Sequence, residues 1–214
     1  TELTEGHVEQ VAGSAHIRFD RSGDDHYAIA SALIKSIRGS DPDAALYWLS
    51  RLLKGGEDIR FICRRILISA AEDIGLANPN ALLLANAAFD AVTKIGWPEG
   101  RIPLAEVTIY LATSPKSNSA YLAINEALAF VSQETPHEVP LHLRNAPTNL
   151  MKKMGYADGY QYAHDFPGHF VRQEFLPAGM EGTVFYTPQE NARERDTAQR
   201  LERLWGDKYK AKKA

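Results

Sequence analysis

A single cysteine, Cys63, stands among the 214 residues, so no internal disulfide is possible and a reducing compartment fits. It lies in the apolar–basic stretch IRFICRRILI and reads as a small buried hydrophobe rather than a nucleophile. Long apolar runs are missing too: none reaches the ~20 residues of a membrane helix, and the N-terminus lacks the apolar core of a signal peptide. No membrane partner is expected, and the expected location is cytoplasmic. Nor is there an excess of one charge. Lys and Arg number 24, Asp and Glu 27, and the formal net charge is −3. Bulk attraction therefore does not hold this chain on nucleic acid, and any such contact must come from a local patch. The chain begins with Thr1, not Met, and is expected to be part of something longer.

Glycine is absent where one kind of chemistry would need it. Lys116 and Ser117 in ATSPKSNSAY have the look of the end of a phosphate-binding loop. Such a loop needs G-x-x-x-x-G-K-[ST], because only glycine lets the backbone N–H groups curl around phosphate oxygens. Residues 110–115 hold no glycine, and Pro115 removes a donor. The stretch reads instead as a helix–helix turn, with Ser114 or Ser117 capping the next helix and Pro115 at or just before its first turn.

What is present is a rapid succession of helical patterns. Residues 1–23 form a short helical pattern and then a polar, Gly-bearing linker. Asp24 or Asp25 caps the next helix, which places Ala30, Leu33, Ile34 and Ile37 on one face and stops at Gly39. Ser40 or Asp41 caps another, with Pro42 in its first turn, Ala45, Trp48, Leu49 and Leu52 as its stripe, and Gly55 and Gly56 at its end. The short link folds these two back as a hairpin. Residues 57–77 read as one helix with Ile59, Ile62, Ile66 and Ala70 inward. Another is capped by Asn78, with Pro79 in its first turn, and closed by Gly96. IPLAEVTIYLAT and SNSAYLAINEALAFVSQ follow, the latter with Ala120, Ile124, Ala127, Leu128 and Val131 on its stripe. Alanines at 85, 87, 88 and 91, and again at 120, 123, 127 and 129, permit close helix packing in a core or at a subunit interface. Leu82, Leu83 and Leu84 stand in succession, which no single stripe can bury.

The fold class expected is all-α: a helical bundle over 23–133, then a loop-rich extension over 134–190 rich in Pro, Gly and aromatics, then a C-terminal helix and basic tail over 191–214. The extension holds one short helix, PTNLMKKM, capped by Asn145, and GTVFYTP as at most a short strand pair. Tyr156, Tyr160, Tyr162, Phe166 and Phe170 are expected to pin it.

Candidate chemistry is sparse. His137 and His142 are five apart with Pro140 between them, which breaks the helical zinc-binding spacing. His164, Asp165 and His169 in HDFPGH would serve a metal-dependent hydrolase only with further ligands from other helices, and none stands out upstream. Glu72 and Asp73 read as a structural pair. Lys116, Arg144, Lys152 and Lys153, beside helix ends, are the candidate DNA or partner surface. No catalytic, cofactor or metal residue is assigned, and the chain itself is not expected to be an enzyme.

Four strings in order carry a resemblance: HYAIASALIKSIRGSDPDAALYWLSRLL, EDIGLANPNAL, YLATSPKSNSAY and VPLHLRNAPTNLMKKMGYADGYQYAHD. Together they resemble the C-terminal region of the AAA+ ATPase family of replication-associated recombination, or maintenance of genome stability, proteins, which includes the eukaryotic Werner-helicase-interacting protein. The resemblance runs from about 17 to about 187. It implies that residues 1–22 end an AAA+ lid, that 23–133 is a collar like that of a clamp loader, and that 134–190 is specific to the family. It implies assembly as a homotetramer, contact with DNA through the full-length assembly, and single-strand DNA-binding protein as a further partner. It also implies work in replication-fork maintenance, recombination and repair, associated with the nucleoid. ATP and Mg belong, on this resemblance, to the full-length protein, on Walker and arginine-finger residues that match no position here. The alternative reading is a stand-alone helical metal-dependent hydrolase built on His164, Asp165 and His169.

The chain is expected to show no ATP binding by calorimetry at micromolar nucleotide. Binding that Lys116→Ala abolishes would overturn the reading of the 112–121 loop.

Overall fold

The computed structural model describes residues 24–133 and 137–209. Residues 1–22, expected as the end of a lid, lie outside them. So do Lys210, Lys212 and Lys213 of the basic tail and the side chains of Asp24 and Asp25, the expected caps of the first helix. Two compact units divide between Ala120 and Tyr121.

The first unit is helical. α1 (Asp24–Arg38), α2 (Pro42–Lys54), α3 (Ile59–Ser69), α4 (Asn80–Ile95) and α5 (Arg101–Thr113) pack around one core, and α6 (Ser119–Gln133) begins in it. Apolar residues at spacings of three and four explain the arrangement. Leu33, Ile37, Ala45, Leu52, Ile62, Ile66, Ile74 and Leu111 are almost completely withdrawn from solvent. The α1–α2 link is tight because Asp41 closes it. Its carboxylate accepts from the Ala44 N–H at 2.9 Å, with Pro42 in the first turn. Gly39 N–H bonds Lys35 O at 2.8 Å where α1 stops, and Gly55 ends α2.

The expected helix over 57–77 is one α-helix only as far as Ser69. It widens into a π-turn at Ala70–Ile74 and tightens into a 3-10 turn at Gly75–Ala77. Single π-turns of this kind are uncommon and need outside support. One expected cap and one expected proline position are corrected. Asn78 does not cap α4 with its side chain, which instead donates to Tyr110 Oη at 2.7 Å and Ser114 Oγ at 3.3 Å. Pro115 lies well ahead of α6, whose first residue is Ser119; Ser117 Oγ accepts from the Ser119 N–H at 3.3 Å.

The alanines divide by role. Ala81, Ala85 and Ala88, with Val92, are buried along α4 and let neighbouring helices approach. Ala87 faces outward and Ala91 is half-buried.

The second unit holds most of α6, the short helix α7 (Asn149–Lys153), three 3-10 turns and α8 (Ala192–Trp205), which runs into a 3-10 turn at Gly206–Tyr209. Thr148, not Asn145, caps α7, accepting from the Met151 N–H at 3.3 Å. Among the described residues there is no strand, and residues 183–189 carry no regular secondary structure. Trp205 gathers this unit, with the rings of Phe170 and Phe175 at 5.4 and 6.3 Å. Arg172 donates to Leu204 O at 3.1 Å at the end of α8. At its start Asn191 Oδ1 accepts from the Glu194 N–H at 3.0 Å, and Glu194 accepts from Asn191 Nδ2 at 2.6 Å and Tyr186 Oη at 3.1 Å. Burial and the Glu194 carboxylate push the Tyr186 phenol up to about 12. Of the expected pins, Phe170 serves as one, whereas Tyr160 and Tyr162 are exposed.

Ala85→Leu should lower stability by about 1–3 kcal/mol through overpacking, whereas Lys35→Ala, at an exposed position on α1, should stay within about 0.5 kcal/mol. Urea midpoints with an unchanged slope check both.

Candidate functional site

The polar residues that converge most closely belong to the first unit, where the 114–119 loop lies against the π-turn. Asp73 is the hub. Its side chain is 5% exposed, and it takes Arg38 Nε at 2.5 Å and Ser69 Oγ at 2.7 Å. Arg38 Nη2 also reaches Glu72 at 3.4 Å. The backbone of the same residue holds the loop, since the Ser117 N–H donates to Asp73 O at 2.8 Å. Gly75 makes the approach possible. Its φ is +46°, and a Cβ there would stand 2.6 Å from Ser117 O.

Lys116 is held by the same fold. Its ammonium donates to Ser40 Oγ and Ala112 O at 3.0 Å and to Ser114 O at 2.6 Å. Three donors meet three acceptors, all from this unit. Burial lowers the pKa of the ammonium, while the Asp73 carboxylate opposes that. Ser114, Ser117 and Ser119 are buried alongside, with Ser117 Oγ donating to Ser119 Oγ at 3.0 Å. The cluster ties α1, α3 and α5 to the start of α6.

The other candidate basic residues lie in the second unit. Arg144 is occupied locally: Nε donates to Val139 O at 2.6 Å, Nη2 meets Glu138 at 2.8 Å, and the guanidinium lies 5.2 Å from the centre of the Tyr156 ring. Lys152 and Lys153 end α7 and are exposed. The structure therefore leaves Lys152 and Lys153 presented to solvent and holds Lys116 and Arg144 in internal contacts.

The HDFPGH loop brings His164 and His169 together, with ring centres 4.9 Å apart, and Tyr162 stands 5.1 Å from His164. Among the described residues no group of three His, Cys, Asp or Glu side chains is arranged to hold a metal ion. Cys63 is buried among the core residues, and burial pushes its thiol up to about 11.

Sequence reasoning missed the Arg38–Asp73–Ser69 cluster, because its members lie up to 35 positions apart. It also missed Glu194, the buried carboxylate of α8, although Asn191 three residues earlier is an N-cap signal.

Apolar surface, rather than a polar cleft, is what the described residues leave open. On α4, Leu82, Leu83 and Leu84 are exposed, and on α6, Tyr121, Leu122, Ile124, Leu128 and Val131, the last at 70%. Most of the apolar stripe of α6 is thus solvent-facing. No helix among the described residues is long and apolar enough to cross a membrane.

The first unit is thus helical, with a latched inter-helix loop and an apolar face on α4. The chain belongs to the family described as MgsA AAA+ ATPase C terminal, whose profile matches residues 39–205, and the profile of an AAA C-terminal domain matches residues 1–38. It is 44% identical over 198 residues to replication-associated recombination protein A of Haemophilus influenzae, covering 92% of this chain and 44% of that protein. The protein of the same name from Escherichia coli K12 is 44% identical over 195 residues, covering 91% of this chain and 44% of its own length. ATPase WRNIP1 of Dictyostelium discoideum is 39% identical over 185 residues, 86% of this chain and 21% of that protein. The chain thus spans less than half the length of these relatives.

Asp73→Ala should lower stability by about 1.5–3 kcal/mol, because it removes the acceptor of a charged donor and leaves Ser69 buried without its partner. Thermal or urea unfolding checks this.

Proposed function

We propose that this chain is the assembly module of a DNA-dependent AAA+ ATPase that maintains stalled replication forks and supports recombination and repair. The exposed apolar surface of α4 and α6 carries the reading. Contiguous apolar faces in water mark sites where another chain packs, and the resemblance to a family with a tetrameric collar supports a homotetramer. ATP and Mg belong to the part of the full-length protein that precedes this region, and the chain supplies scaffold rather than hydrolysis. DNA is met by the full-length assembly, with Lys152 and Lys153 as phosphate contacts of this chain and single-strand DNA-binding protein as a further partner. The relatives named for replication-associated recombination support the setting, a cytoplasmic and nucleoid-associated one.

Light scattering at tens of micromolar should give about four times the chain mass, with a melt that shifts on dilution. A monomer mass with a concentration-independent melt would overturn the scaffold reading.

A further inference from the structure

The exposed apolar residues of α6 have a definite spacing. Tyr121, Ile124, Leu128 and Val131 follow one another at steps of three, four and three, and are between 45% and 70% exposed. Such steps are the a and d positions of two heptads, the narrow seam along which one helix packs on another. The second unit uses a different side of the same helix. There Ala123, Ala127 and Phe130 are half-buried, and the Phe130 ring lies 5.6 Å from that of Phe185. At 100° per residue the seam is turned roughly 110° away from that side. Leu122 is exposed as well but lies off the seam.

We infer that α6 pairs with α6 of a second copy of this chain, antiparallel about a two-fold axis. Tyr121 of each copy lies against Val131 of the other, and Ile124 of each against Leu128 of the other. The inference rests on the assembly reading above and names its helix and register. Three observations select a second copy as the occupant. The first is charge. Coiled coils choose foreign partners through charges on the flanks of the seam, and here those flanks hold Ala120, Asn125, Ala127 and Ser132. Glu126 is the single charged residue of α6 and stands on the side opposite the seam. Of the nearest charges in sequence, Lys116 is held by three acceptors and Glu134 lies outside the described residues. Two seams therefore meet with neither like-charge repulsion nor a stranded ion. The second is size. An axis at the level of Glu126 sets the largest side chain of the seam opposite the smallest, and the equal-volume Ile124 and Leu128 opposite each other. A parallel pair would instead crowd two tyrosines into one layer and leave two valines in another, against close packing. The third is the flanks themselves. Antiparallel pairing brings the alanine flanks of both helices to one side, where they permit close approach, and the Asn125–Ser132 flanks to the other. The seam is about 15 Å long, which suits one of the contacts in a dimer of dimers.

Disulfide trapping reads the register. Chains carrying Ile124→Cys and chains carrying Leu128→Cys, incubated together and mildly oxidised, should cross-link on a non-reducing gel. Neither should cross-link alone, because each position lies about 6 Å further along the pair from its own copy, beyond disulfide reach across two helix axes. The wild-type chain, whose Cys63 is buried, is the control. Leu128→Glu should raise the dissociation constant at least tenfold in a light-scattering dilution series, with its helix content checked by circular dichroism. Cross-linking of Ile124→Cys with itself would overturn the antiparallel register. Weakening by Leu128→Glu without the mixed cross-link would overturn it too. An assembly that Leu128→Glu leaves intact, with no cross-link from any mixture, would overturn the inference and leave the scaffold reading standing on another face. A wild-type chain that is monomeric throughout would remove both. If Leu128→Glu fails to fold, the cysteine variants decide.

Discussion

The buried carboxylate of Asp73 is the constraint around which the first unit closes. A carboxylate so far from water must have partners, and it recruits them from two directions. Arg38 arrives from the end of α1 and Ser69 from the turn before. Its own carbonyl meets the N–H of Ser117. The π-turn is the backbone consequence: an extra residue in the turn carries Asp73 to that position and lets Gly75 pass beneath the 114–119 loop. Once the loop lies there, Lys116 has three acceptors within reach and Asn78 turns to Tyr110 and Ser114. The pair that resembled part of a nucleotide site is thereby explained as a lysine and a serine that fasten a loop.

On α4, Ala81, Ala85 and Ala88 turn inward and Leu82, Leu83 and Leu84 outward. The second unit is built on another principle. It has few long helices and is held by the Trp205 rings and by the Glu194 carboxylate at the start of α8. Both are compact ways to order a loop-rich segment, since one aromatic or one fully bonded carboxylate organises several turns of chain.

Much of the helical architecture was legible in the residues. Asp41 before Pro42, Gly39 and Gly55 after apolar stripes, and Leu33 with Ile37 on α1 all act over a few positions, and the folded chain uses each as its type suggests. Less legible was what a side chain does when two partners compete for it. Asn78 and Asn145 both looked like caps. Asn78 found a better partner in Tyr110 of α5, and Thr148 capped α7 in place of Asn145. The apolar run at 82–84 was legible as surface that one stripe cannot bury, but not which residues of α4 would turn outward.

By itself the sequence determined most of the helices, their order and the tight α1–α2 hairpin, which follow from periodicity, capping and glycine placement acting within a turn or two of the chain, and the family, which follows from the resemblance of four strings. Only the tertiary structure decided which charges are engaged and which are offered. Arg38 and Asp73 meet across 35 positions and Ser40 and Lys116 across 76, so their pairing depends on how whole helices pack. The same packing half-buried Lys116 and left Lys152 and Lys153 exposed, because a side chain's burial is a property of its neighbours in space and not of its neighbours in the chain.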